Sequence, residues 1–238
     1  MNDSTIEDPR APGPLAQELF YTDADGEPGS PDEIIRAACL EDWEQLEPRA
    51  LELLRDEEAK PYDRFLACTA LAAWGSPEGY QVIEAVAADP ESAPWLGYSV
   101  DRLYSVDDTF GLLAHSVADS REMAAERETR KARLDALAAL TALAPDWYLD
   151  NAVSPQGLYE EDMAELGEPL RAAVAASLAK LDPGEQLLGF ALEMQTAGLI
   201  AALEYADPDA ARQYAAELIA VDPENERVRN ALGLLAKQ

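Results

Sequence analysis

His115, in Leu112-Leu113-Ala114-His115-Ser116, is the only histidine of the chain, so it alone offers an imidazole for acid–base work near neutral pH. With Ser116 or Ser120 as nucleophile and Asp119 as orienting acid, the residue types of a Ser-His-Asp device lie close together. Their spacing argues against it, because neighbours along one helix do not meet in triad geometry and no Gly-x-Ser-x-Gly turn is present. Two cysteines and one histidine leave few ligands for zinc or an iron–sulfur centre. Cys39 and Cys68 are flanked by apolar residues and read as small core residues. In Asp23-Ala24-Asp25-Gly26-Glu27, aligning Gly26 with the glycine of a calcium loop puts Tyr21 at the first ligand position and Asp32 at the last, so a solvated acidic turn is expected. Glu161 and Glu165 form an i, i+4 pair within Glu160–Glu168, but no Glu-x-x-His motif accompanies them, as a carboxylate di-metal bundle needs. With 47 acids, a pair suited to glycoside hydrolysis can be drawn anywhere and carries little information. No glycine-rich phosphate loop exists. The reading is of a non-enzyme with no catalytic residue, no metal and no cofactor.

Those acids carry their own information. Against 18 basic side chains they give 238 residues a formal charge of −29, distributed as −12, −7, −4 and −6 over successive sixty-residue blocks. The excess is spread along the chain rather than confined to one tail. Such a field repels the phosphates of nucleic acid and anionic lipid headgroups, and favours fast, salt-sensitive encounter with a basic protein. With 4 Lys beside 14 Arg and 44 Ala, the same acidity also fits a biased base composition or adaptation to salt. The one basic cluster, Arg121, Arg127, Arg130, Lys131 and Arg133, has Glu126 four residues before Arg130. It reads as a partly self-paired helix face or a counter-charge to acidic hairpins. The N-terminus lacks a basic region and an apolar core, and the longest apolar run, residues 137–145, is far shorter than the ~20 residues of a membrane span. A cytoplasmic protein with no membrane contact is expected.

The elements that would position any site are helical. Residues 1–30 hold prolines and glycines among acids and read as a flexible lead-in, interrupted by an amphipathic piece, Leu15 to Tyr21, able to dock onto the body. From Pro31 to residue 238 one all-helical domain is expected, with room for two lobes meeting near 120–145. Pro31, Pro48, Pro61 and Pro77, and later Pro145, Pro169, Pro183, Pro208 and Pro223, are read as precedents or openers of helices, where proline's missing N–H costs nothing. Asp-Pro boundaries at Asp89, Asp182, Asp207 and Asp222 add a capping carboxylate. Leu170, Val174, Leu178 and Leu181 share one helical face, as do Ala211, Tyr214, Ala215, Leu218 and Val221, and Val228, Ala231, Leu232 and Leu235. The segment from Phe65 to Trp74 carries no charge and should be an inner helix. No run alternates with period two, so no strands are expected. The fold class is all-α: antiparallel helix hairpins stacked as a short α-solenoid or a compact helical-repeat bundle.

The stretch from Ala211 to Asn225, with Ala211 twelve residues before Pro223, resembles the second helix of a tetratricopeptide repeat. The likeness lies mainly within 207–236, and the small-residue position of the preceding helix falls on Leu199. Residues 31–88 resemble HEAT-type repeats in pitch. Both resemblances imply a binding scaffold. In its acidity the chain also resembles the immunity proteins that neutralise nuclease toxins, which implies a basic toxin or nuclease as partner. Aromatics gather at Trp95, Tyr98, Tyr104 and Phe110, and at Trp147, Tyr148 and Tyr159, in the two stretches poorest in helical pattern. They serve either an interface or the gaps between helix layers. On the interface reading, Asp42, Glu44, Asp107 and Asp108 pair with a partner's Lys and Arg, and Trp43, Trp95 and Tyr98 anchor the centre. A scaffold holding a peptide in an apolar groove, and a hydrolase with two facing carboxylates in a deep pocket, are the alternatives.

Overall fold

The structure is a computed structural model that describes residues 10–41, 43–101, 105–181, 189–233 and 235. Among these residues thirteen α-helices form, with no strand and only two isolated antiparallel bridges, Thr22 to Pro28 and Val100 to Asp107. None of the helices is long and apolar enough to cross a membrane.

The first helix, α1 (Pro14–Phe20), belongs to the body. Ala16, Leu19 and Phe20 are buried, the Gly13 N–H donates to Asp63 Oδ2 at 2.9 Å, and Arg49 grips Glu18 with both terminal nitrogens. Residues 14–20 of the expected lead-in are therefore part of the folded unit. Next come α2 (Pro31–Glu41), α3 (Trp43–Arg55), α4 (Pro61–Ala73) and α5 (Pro77–Ala88), followed by a 3-10 turn at Pro90–Ser92. Proline opens α1, α2, α4, α5 and, later, α12, as its missing donor favours. Pro48 departs from that rule. It lies inside α3, exposed, where its ring and absent N–H face solvent. Pro145 lies in a turn, Pro169 falls third in its helix, and Pro183 lies outside the described residues.

Helix α4 is the hub of the first half: Phe65 through Ala72 are buried, and α1, α2, α3, α5 and α6 (Thr109–Asp119) pack around it. After α7 (Arg121–Glu126), α8 (Arg130–Thr141) packs against α5 and α6 on one side and α10 (Gly167–Leu178) on the other. In the second half α11 (Leu192–Leu203) is the hub, touching α9 (Glu160–Glu165), α10, α12 (Pro208–Val221) and α13 (Glu226–Leu232). Asp207 caps α12 through the Ala210 N–H, and Asn225 caps α13 through the Val228 N–H. One apolar cluster runs from Ala16 to Leu235.

Arg121, Arg130 and Arg133 of the basic cluster form an electrostatic seam between these halves. Arg121 meets Glu161, Arg130 meets Glu165, and Arg133, 1% exposed, donates to Asp162 at 2.8 Å and to the carbonyls of Val117 and Ala118. Arg127 pairs with Glu47 and lies over the Trp43 ring. Arg130 turns to Glu165 of the acidic helix α9 rather than to Glu126, whereas Lys131 keeps a partner within its own helix, Asp135. Glu161 and Glu165 are spent in the same seam.

Candidate functional site

Two irregular stretches, the first made of residues 93–101 and 105–108 and the second of 142–158, converge beside the N-terminal part of α6. The first folds back on itself: the Asp101 N–H donates to the Val106 carbonyl and the Asp108 N–H to the Ser99 carbonyl. Asp107 closes the loop by accepting from the Gly97 N–H, and its other oxygen accepts from the Thr109 N–H at 3.0 Å, at the start of α6. A carboxylate there suits the positive end of the helix dipole.

The second segment is held from below by Gln195 of α11. Its Nε2 donates to the carbonyls of Ala144 and Trp147, at 2.7 and 2.9 Å, and its Oε1 accepts from the Leu149 N–H at 2.8 Å. Trp147 then packs edge-on against Phe110, with ring centroids 5.0 Å apart, and Tyr148 packs against Phe190. The clamp delivers Asp150, at a φ of 49°, to the surface. There it accepts from the Tyr148 hydroxyl at 3.0 Å and lies 3.4 Å from His115 Nε2. His115 thus turns to Asp150 rather than Asp119, while the Ser116 hydroxyl donates to Leu112 within its own helix and Ser120 to Val117. No triad is assembled.

Asp108 shows how closely the acids gather. Burial first, then the charges of Asp101, Asp150 and Asp107, push its carboxyl up to about 7. Its Oδ1 is buried without a hydrogen-bond partner. A methyl group added at Gly111 would lie 2.2 Å from that oxygen, so α6 carries a glycine where the carboxyl rests on its first turn. Burial also raises the Tyr148 phenol, with Asp150 adding to it. Among the described residues no cluster of three or more His, Cys, Asp or Glu side chains has the geometry to hold a metal ion. The Asp23 carboxylate accepts the N–H groups of Asp25 and Glu27.

Beside Asp150 a groove of about 310 Å³ opens between the 148–156 turn, α11 and α13. Val153, Ala191, Met194, Ala201 and Ala231 supply its apolar lining, and Asp150 is the only ionisable carboxyl or base among the residues that line it. Asp108 is not among them, so the groove does not present two facing carboxylates.

The sequence-derived candidates divide among these places. Tyr98, Asp107 and Asp108, all partly buried, come together in the first loop. Trp95 is 1% exposed and packs against Phe65 in the core, which fills a gap between helices and removes it as a surface anchor. Trp43 and Glu44 lie on α3, which packs on α1, α2 and α4, with Trp43 engaged by Arg127. Asp42 and Tyr104 lie outside the described residues. Asp101, Asp150 and Gln195 escaped sequence reasoning. Asp101 and Asp150 are two acids among many, and a glutamine in an apolar helix advertises nothing about which loop it holds.

Comparison with protein-family models, curated proteins and solved structures finds no match.

Proposed function

We propose that this all-helical chain is a non-enzymatic binding module that receives a basic protein partner against the carboxylates of Asp101, Asp107, Asp108 and Asp150. The observation that carries the reading is the convergence of Asp101, Asp107, Asp108 and Asp150 from two segments, where their charges add to burial in raising Asp108 to about 7. Carboxylates gathered in this way favour the approach of a cationic side chain, and a partner's Lys and Arg supply one. The chain's own cations are largely committed elsewhere: among the described residues Arg49, Arg121, Arg127, Arg130, Arg133, Arg171 and Arg212 each pair with a carboxylate of the fold. In its specific form the module is an immunity-type inhibitor of a basic toxin or nuclease, built on tetratricopeptide-like or HEAT-like helix pairs.

Titration with an octa-arginine peptide tests the reading. Affinity should fall by about tenfold or more between 50 and 200 mM NaCl. Replacing Asp101 and Asp150 by Asn should weaken binding more than replacing the exposed Glu57 and Glu58 by Gln, although both variants remove the same charge. Equal effects of the two pairs would mean that only net charge matters, and binding flat in salt would favour a peptide scaffold instead.

A further inference from the structure

Within that binding reading, on which the inference rests, we infer that the groove beside Asp150 is a socket for one long basic side chain, Arg or Lys, projecting from the partner. Its shape and lining select this occupant. At about 310 Å³ it lies at the lower end of pockets that enclose small ligands, and it suits a single extended side chain. Val153, Ala191, Met194, Ala201 and Ala231 give it apolar walls against which a chain of methylenes can lie, and the uncharged polar residues Asn151, Ser154, Gln156 and Gln195 complete the lining on the side of the turn and α11. Its single charge is the Asp150 carboxylate, about half exposed and held in place by the Tyr148 hydroxyl. Arginine and lysine have this build, an aliphatic stem that favours apolar cover and a cationic head that favours a carboxylate. An anionic ligand is repelled by Asp150 and its acidic neighbours, and one lining carboxylate is too few for a divalent cation. The neighbouring Asp101, Asp107 and Asp108 draw the partner in, and the socket sets its register.

The socket is also built to keep its shape. Gln195 ties the turn down from below, and α11 runs so close beneath it that a methyl at Gly198 would lie 3.2 Å from Ser154 Cβ. The groove is therefore fixed by the fold before any partner arrives, which lowers the ordering cost of binding.

The test uses the full chain and a blocked peptide carrying one arginine in a Gly-Ala background, with a twin in which uncharged, near-isosteric citrulline replaces the arginine. Amide chemical shifts report where each binds. The arginine peptide should shift the amides of Ala191, Met194 and Gly198 saturably, and the citrulline twin should bind about tenfold more weakly or worse. Asp150→Asn, which keeps the side-chain shape and tolerates the positive φ, should reduce the arginine peptide to the level of its twin. Ala231→Phe fills the trough from its exposed rim and leaves every carboxylate in place, so it should abolish the shifts while circular dichroism stays unchanged. If octa-arginine binds with the salt dependence given above but the single-arginine peptide leaves these amides unmoved, the socket is wrong and the acidic docking reading stands. Failure of octa-arginine to bind overturns both. Blocked arginine binding as tightly as the peptide would make the groove a small-molecule site and overturn its docking role.

Discussion

Asp108 keeps its proton through several pH units in which an ordinary aspartate has lost it, since its carboxyl titrates at about 7 against a usual value near 4. The consequence for stability has a definite sign. Below about pH 4 the carboxyl is protonated in both folded and unfolded chains and contributes nothing. Between about 4 and 7 the unfolded chain releases the proton and the folded chain holds it, so stability falls as pH rises; above 7 the loss is complete. Asp108→Asn removes that loss. It is expected to leave the melting temperature nearly unchanged at pH 4 and to raise it by several degrees at pH 8. That corresponds to roughly 1–2 kcal/mol once water around a half-buried group is allowed for. Thermal melts of both proteins at the two pH values check this, and an equal shift at both would place the effect in packing. Asp107 and Asp108 were legible from the sequence as neighbouring acids in an irregular stretch. The burial of Asp108 was not, because it depends on Gly111 and on a turn forty residues further along. Trp95 makes the same point from the other side: an aromatic beside acids can rim an interface or fill a gap, and Phe65, thirty residues away, decides which.

Gln195 shows how one helix shapes a loop it does not border in sequence. Its side chain satisfies three backbone groups of the 144–149 stretch, the Leu149 N–H and Ala144 carbonyl in buried bonds and the Trp147 carbonyl in a partly buried one. Gln195→Leu keeps the volume and removes every one of these bonds, leaving the Leu149 N–H and two carbonyls without partners. The cost is expected at about 1–3 kcal/mol. It should appear locally as faster hydrogen exchange at the Leu149 amide, with exchange in α4 unchanged at low denaturant. Loss of protection throughout the molecule would instead make Gln195 a global core residue. At this scale the sequence spoke clearly wherever the signal was local. Proline at the first helical position marks α2, α4, α5 and α12, the amphipathic piece near residue 15 is α1, and the uncharged run from Phe65 is the inner helix α4. The reading strayed where proline sits mid-helix on a solvent-facing side, as at Pro48. It had no purchase on the pairing of helices distant in sequence, such as α4 with α6 or α5 with α8, which no local pattern encodes.

The whole molecule is governed by an imbalance between its sign of charge and the way its cations are used. Bonds such as Arg133 to Asp162, both 1% exposed, and Arg127 to Glu47 are largely sheltered from dissolved ions, whereas the surplus of carboxylates faces water. Salt therefore acts unequally on the two. As the screening length contracts from about 30 Å at 0.01 M to about 3 Å at 1 M, long-range repulsion among surface acids disappears first, and the sheltered pairs keep most of their attraction. A chain at −29 should consequently melt at a higher temperature as NaCl is raised across this range. Affinity for a basic partner should fall over the same interval, because there the screened interaction is the attractive one. Melting curves and peptide titrations in matched NaCl series would show the two trends with opposite slopes. A melting temperature that fell with salt would mean that exposed pairs such as Arg49 with Glu18 and Arg130 with Glu165 outweigh the general repulsion, and that the acidity is balanced within the fold rather than turned toward a partner.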